Sequence, residues 1–249
     1  MAVSLGAIIE YDTGSSNAVA MDNFGHVVEV HVGTGRLYYR VGTADFISRT
    51  ITWGSSIEYD AGSSNAVALA KGDPKVVIEG QLVAVHVGAG HLYYRVGTAD
   101  FTSRTITWGP GIEYDTGSSN AVTLWEEGQL VEVHAGAGHL YYRDGVADFS
   151  NGIISWSVPR QEYDSGGPNA VAVNDFYDLV EVHVGSDRLF FRWGRPQDTG
   201  LIPLAPSLHY GTGSSNAVAM SNLNEGTPAG VVMVHVTSGR LFYRVGNLV

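Results

Sequence analysis

Residue types suited to ligand chemistry recur in this sequence at matching places. Asp12, Asp60, Asp115 and Asp164 each follow a tyrosine, and Gly211 takes that place in a fifth copy. Asn17, Asn65, Asn120, Asn169 and Asn216 lie five residues further on in every copy. Arg36, His91, His139, Arg188 and Arg240 each precede a leucine, after a short turn rich in glycine. Trp53, Trp108 and Trp156 end a Thr/Ile-rich run. An indole is a platform for the apolar face of a sugar ring, and carboxylate, carboxamide, guanidinium and imidazole groups can meet the ring hydroxyls. Plainer uses compete with that chemistry. Asx side chains bond nearby backbone in turns, and a tryptophan can simply anchor packing.

A second polar set is larger. His31, His86, His134, His183 and His235 fall mid-run in all five copies, and Arg40, Arg95, Arg143, Arg192 and Arg244 do the same one run later. An aromatic precedes each of these arginines by two positions, at Tyr38, Tyr93, Tyr141, Phe190 and Phe242. Such groups form either a repeated polar pocket or a buried hydrogen-bond network that pins strands, since interior polar groups need partners. A metal site is disfavoured. The histidines sit on separate repeats, and Glu29 becomes Ala84 and Met233 in two of them, so no ligand set is maintained.

The elements that must hold these residues are short and repeated. Tyr11-Asp-Thr-Gly-Ser-Ser-Asn-Ala-Val-Ala20 returns at Tyr59, Tyr114, Tyr163 and Tyr210, at spacings of 48, 55, 49 and 47 residues. Val28-Glu-Val-His-Val-Gly33 and Leu37-Tyr-Tyr-Arg40 return in step with it. In the first repeat Asn17–Met21 is small and apolar and suits an inner strand. Val27–Val32 alternates Val28, Val30 and Val32 against Glu29 and His31, and Arg36–Val41 alternates Leu37, Tyr39 and Val41 against Arg36, Tyr38 and Arg40. Thr50–Trp53 reads as an outer strand, with a loop from Gly54 onward. A period near 48 residues built from such runs predicts an all-β protein: a five-bladed β-propeller of four-stranded antiparallel blades over residues 1–249 as one domain. The last repeat lacks an outer run. Val3–Gly6 aligns with Ile51–Gly54, so the N-terminal strand is expected to close the ring against the blade at 217–246 and remove open sheet edges.

Composition narrows the function classes. The net charge of −11, from 14 basic and 25 acidic residues, would repel a phosphate backbone or an anionic membrane surface, so neither nucleic acid nor membrane insertion is expected. The absence of cysteine excludes disulfides and thiolate zinc sites. No basic segment followed by an apolar stretch marks a signal peptide, and no run approaches the ~20 apolar residues of a membrane span. No Gly-x-Ser-x-Gly, His-Glu-x-x-His or phosphate loop occurs. Polar residues in equivalent copies do not make the singular, unequal environments of a catalytic centre, so no enzyme and no cofactor is expected.

Two loops of the repeat share one rim of a propeller and recur nearly unchanged, as Tyr-Asp-x-Gly-x-x-Asn and Gly-x-x-[Arg/His]-Leu. The opposite rim varies, with its largest differences at Lys71–Gln81 and Asn222–Gly230. That asymmetry favours the recurrent rim as a binding face.

The order of a small apolar inner run, Val-Glu-Val-His, Leu-Tyr-Tyr-Arg and a Trp-ending run resembles the repeats of bacterial propeller lectins, and the five-fold count and length resemble the tachylectin type. The resemblance spans the whole chain and is architectural; no sugar-binding motif carries over residue by residue. It implies multivalent, metal-free binding of glycans in clefts between blades. The expected function is therefore that of a lectin whose partners are monosaccharide units of glycans. The alternative is a protein-interaction scaffold, such as the targeting module of a toxin or secretion system, which would use the variable rim.

Overall fold

Strands account for nearly all the regular structure. The computed structural model describes residues 7, 9–71, 80–174, 176–197, 201–220, 230–238 and 240–247. The first sheet holds β1 (Ser15–Met21), β2 (His26–Gly33), β3 (Arg36–Asp45), β4 (Thr50–Trp53) and β5 (Ile57–Ala61). The second holds β6 (Ser64–Leu69), β7 (Gln81–Gly88), β8 (His91–Asp100), β9 (Thr105–Trp108) and β10 (Ile112–Thr116). The third holds β11 (Ser119–Leu124), β12 (Gln129–Gly136), β13 (His139–Asp148), β14 (Ile153–Trp156) and β15 (Gln161–Ser165). The fourth holds β16 (Asn169–Val173), β17 (Leu179–Gly185), β18 (Arg188–Gly194) and β19 (Leu208–Thr212); the fifth holds β20 (Ser215–Met220), β21 (Gly230–Thr237) and β22 (Arg240–Asn247). Every sheet is an antiparallel meander. The sheets follow one another around an axis, with β1, β6, β11, β16 and β20 packed side by side at the centre. The fold is the expected all-β propeller of five blades.

The outer edge is longer than the sequence suggests. In the first sheet β4 pairs Gly42–Asp45 of β3, and β5 pairs Arg36–Tyr39 of the same strand. The two segments therefore form one interrupted edge strand, where a loop was expected from Gly54. The interruption falls opposite Arg40 and Val41, and it lets the Gly54 N–H donate to the Val41 carbonyl at 2.8 Å.

The middle strands are buried on both faces, as sheets packed on two sides must be. In β2, Val28 and Val30 are fully buried, and so nearly are Glu29 and His31. The β2–β3 turn needs two left-handed residues, met by Thr34 (φ 51°) and Gly35 (φ 77°), as type I′ hairpins require. The core lies between sheets. Val28, Val30, Tyr39 and Val41 of the first sheet pack on Val67, Leu69 and Leu82 of the second, each full burial contributing roughly 1.5–3 kcal/mol. Equivalent clusters join the second to the third, the third to the fourth and the fourth to the fifth sheet. A hydrogen bond crosses the first three junctions: Tyr39, Tyr94 and Tyr142 accept the N–H of Ile106, Ile154 and Ile202, each at 3.1 Å.

Among the described residues, none gives the fifth sheet this cover. Leu241, Tyr243 and Val245 are 82, 74 and 70% exposed, whereas Leu37, Tyr39 and Val41 are at most 4% exposed. The expected closing strand, Val3–Gly6, lies outside the described residues, as do most of the two long variable loops, 72–79 and 221–229.

Candidate functional site

The Tyr-Asp-x-Gly segment runs from the outer edge of one sheet to the inner strand of the next. Its glycine is forced by close approach: a Cβ at Gly62, Gly117 or Gly166 would lie 2.6, 2.7 or 2.6 Å from the carbonyl oxygen of Val87, Ala135 or Val184. The crossing delivers the aspartate to the next sheet. Asp60 Oδ1 accepts the Ala61 N–H at 2.8 Å, and its Oδ2 accepts Arg95 Nε at 2.8 Å and lies 3.6 Å from His86 Nε2. Asp12 meets Arg40 and His31 in the same way, Asp115 meets Arg143 and His134, and Asp164 meets Arg192 and His183. Burial works to raise the pKa of Asp60. The Arg95 hydrogen bond, the Ala61 N–H and the nearby positive charge outweigh it and hold the carboxyl below its ordinary range. Asp12 is held at about 2 by the same kind of contacts working against desolvation.

Behind the aspartate sits a triad whose glutamate and histidine are buried. Tyr11, Tyr114 and Tyr163 donate to Glu29, Glu132 and Glu181 at 3.2, 2.8 and 2.7 Å. The other carboxylate oxygen of each lies 3.0, 2.9 and 3.0 Å from Nδ1 of His31, His134 and His183. The second and fifth sheets carry Ala84 and Met233 instead, and there the hydroxyls of Tyr59 and Tyr210 and Nδ1 of His86 and His235 are buried with no hydrogen-bond partner among the described residues. With its amide turned to match its neighbours, the Asn65 carboxamide donates to the Ser16 carbonyl at 2.8 Å and accepts the His31 N–H at 3.3 Å.

A cleft opens between neighbouring sheets on the recurrent rim. Between the first and second sheets it encloses about 580 Å³ and is lined by Gly35, Asp60, Ala61, Gly62, Ser63, His86, Gly88, Ala89, Tyr93, Arg95 and Gly111. His86 stacks on Tyr93 with ring centroids 5.4 Å apart. The ring also lies against Gly88, where a Cβ would meet it at 3.2 Å. The matching cleft between the second and third sheets encloses about 320 Å³ and is lined by Gly90, Thr116, Gly117, Ser118, Gly136, Ala137, Tyr141 and Arg160. There Arg160 donates to Asp115 Oδ1 at 2.7 Å, and its guanidinium lies 4.5 Å from the Tyr141 ring centroid.

The structure distributes the residues singled out by sequence among several places. Asp60 lines the cleft, and Asp12, Asp115 and Asp164 hold equivalent positions. Asn65, Asn120 and Asn169 are buried on the inner strands, paired in register with His86, His134 and His183, and Asn216 pairs in register with His235. The tryptophans sit toward the perimeter. Trp53 stacks on Tyr11 at 5.5 Å and lines a shallow groove with Arg40, Ser55, Ser56 and Arg104. Trp108 stacks on Tyr59 at 5.1 Å, and Trp156 packs on Tyr114 at 5.4 Å. At the hairpin ends, Arg36, His91 and His139 pair with Glu58, Glu113 and Glu162 at 3.0, 2.8 and 2.9 Å. Arg188 lies 5.5 Å over Phe190, and Arg240 opens β22 on an exposed stretch.

The cleft thus draws on residues that the sequence leaves open between a polar pocket and a structural network: Tyr93, His86 and Arg95. Their signal was present in strand parity. Tyr93 shares a strand face with Arg95, two residues on, while its neighbour Tyr94 points to the core.

No protein-family model matches the sequence, and no curated protein matches it. Solved structures share the fold. The Aleuria aurantia lectin, described as a six-bladed β-propeller with a novel fucose recognition mode, superposes with a TM-score of 0.63 at 11% identity, covering 94% of this chain and 78% of that one. A nidogen/laminin complex gives 0.52 at 13%, covering 93% and 78%. A GH43 β-xylosidase/α-arabinofuranosidase from a compost microbial metagenome, in complex with xylotriose, gives 0.52 at 10%, covering 93% and 90%. A lectin, a complex of two proteins and a glycosidase all use this architecture, so the fold by itself does not choose a function.

Proposed function

We propose that this chain is a non-enzymatic, multivalent carbohydrate-binding protein that takes monosaccharide units of glycans in the clefts between its blades. The observation that carries this reading is the cleft between the first and second sheets. An aromatic ring, a carboxylate, a guanidinium and an imidazole converge there on walls of glycine, alanine and serine. A pyranose offers an apolar face for Tyr93 and hydroxyls for Asp60, Arg95 and His86, the mix expected of a small polar-ligand site. Glycine walls admit the ring without side-chain obstruction. Asp60 and Arg95 already pair with each other, which suits charge-assisted hydrogen bonds to hydroxyls better than the unequal proton affinities of an acid–base pair. Corresponding clefts around the rim, where open, make weak sites useful through avidity, which can add roughly 10²–10⁴.

The test is a glycan array followed by red-cell agglutination with monosaccharide competition, then titration calorimetry. Agglutination blocked by a free monosaccharide, with Tyr93→Ala removing one binding equivalent, is the expected result. Retention of no glycan, or binding unchanged in Tyr93→Ala, would overturn the reading.

A further inference from the structure

We propose that the open cleft between the first and second sheets selects a ligand bearing a cationic group, and that on a glycan this group is the free ammonium of an amino sugar. The inference deepens the carbohydrate reading and rests on it.

The chain contains its own template. In the neighbouring cleft the Arg160 guanidinium sits on the Tyr141 ring at 4.5 Å and donates to Asp115 Oδ1 at 2.7 Å. Asp115 Oδ2 meanwhile accepts from Arg143 at 2.8 Å. An aspartate already paired with its strand arginine therefore still takes a second cation, provided an aromatic face lies beside it. The open cleft has the same parts. Tyr93 matches Tyr141, Asp60 matches Asp115 and Arg95 matches Arg143 in the repeat.

Only the plug is missing. Pro159-Arg160-Gln161 aligns with Pro110-Gly111-Ile112, so glycine stands where the arginine would be. A Cβ built on Gly111 would point at the pair, 3.2 Å from Arg95 Nη2 and 3.4 Å from Asp60 Oδ2. A side chain from this position reaches the carboxylate; without one, that space is left for a ligand. A further cation covers the aromatic of the fourth sheet, where Arg188 lies 5.5 Å over Phe190. Cations are attracted to such ring faces, Asp60 stays ionised, and the net charge of −11 favours a positive ligand. A sugar ammonium meets these demands while its ring packs on tyrosine; its N-acetyl counterpart loses both the charge and the ammonium donors.

Calorimetry with glucosamine, N-acetylglucosamine, L-fucose and methylguanidinium on three proteins tests this. In the wild type glucosamine should bind about tenfold more tightly than N-acetylglucosamine. Gly111→Arg, which copies a plug the fold already tolerates, should abolish that binding, and Arg160→Gly should add one equivalent. N-acetylglucosamine or fucose binding as well as glucosamine would overturn the cationic site while leaving the carbohydrate reading intact. Methylguanidinium bound by the wild type and lost in Gly111→Arg, with no sugar bound by either, would support the cationic site and remove the carbohydrate reading.

Discussion

The second and third sheets share a backbone plan and most of their residues, yet their clefts differ. In the third, Glu132 joins Tyr114 to His134 behind the cleft, and Arg160 takes the Asp115 carboxylate and the Tyr141 ring face within it. In the second, Ala84 leaves the Tyr59 hydroxyl and His86 Nδ1 without hydrogen-bond partners among the described residues, and Gly111 leaves the cleft open to His86. Residues present in both sheets carry the packing: the crossing glycines, the Asp–Arg pairs and the tyrosines that reach the next sheet. Residues that differ decide what the cleft can admit. Repetition thus builds one scaffold, and single departures from it set each site apart.

The largest test of that comparison removes the carboxylate from the third sheet. Glu132→Ala strands two buried polar groups, each costing roughly 1–3 kcal/mol, and should lower stability in urea melts by about 2–6 kcal/mol. An unchanged midpoint would mean that the triad contributes nothing and that the second sheet has lost nothing.

A smaller effect separates covered from uncovered sheets. Tyr94→Phe deprives the buried Ile154 N–H of its acceptor and should cost about 1–3 kcal/mol. Tyr243→Phe, at a side chain 74% exposed, should stay within about 0.5 kcal/mol. Equal losses at the two positions would show that the fifth sheet is covered in solution.

The smallest effect is on pH. Burial disfavours the charged form of His86, and the Arg95 charge adds to this against the pull of Asp60, so its pKa lies below the ordinary histidine value of 6.5. Between that value and the lower folded one the unfolded chain binds more protons, so stability falls as pH drops through this window. His86→Gln should flatten that part of the stability profile, measured by urea melts at pH 7.5 and stepwise below 6.5. A slope as steep as that of the wild type would place the acid sensitivity elsewhere.

Much of the scaffold was legible because strands alternate. Leu37, Tyr39 and Val41 against Arg36, Tyr38 and Arg40 is a period-two pattern, and the structure keeps it. The outer edge was half hidden. Ile57–Ala61 is interrupted from Thr50–Trp53 by Gly54–Ser56, and such a break reads as a loop until β3 is seen pairing with both parts. Of the cleft's polar residues, Asp60 was singled out from the sequence, while His86, Tyr93 and Arg95 were left between a pocket and a strand-pinning network. Tryptophan drew attention as a sugar platform, but Trp108 lies stacked on Tyr59, while the less conspicuous Tyr93 faces the cleft.

The amino-acid order alone settled the five-fold repeat, the strand runs and which side chains share a strand face, because these follow from local backbone geometry and the 48-residue period. The placement of neighbouring sheets decided the rest. Both faces of a propeller blade meet another blade, so alternation groups Tyr93 with Arg95 and Tyr94 with Leu92 and Val96 but does not say that the first of these faces opens onto a cleft. Nor can it say that an aspartate will reach across to the next blade's arginine, or that one arginine will occupy the space another blade leaves empty; those outcomes depend on contacts between residues some 30 to 50 positions apart.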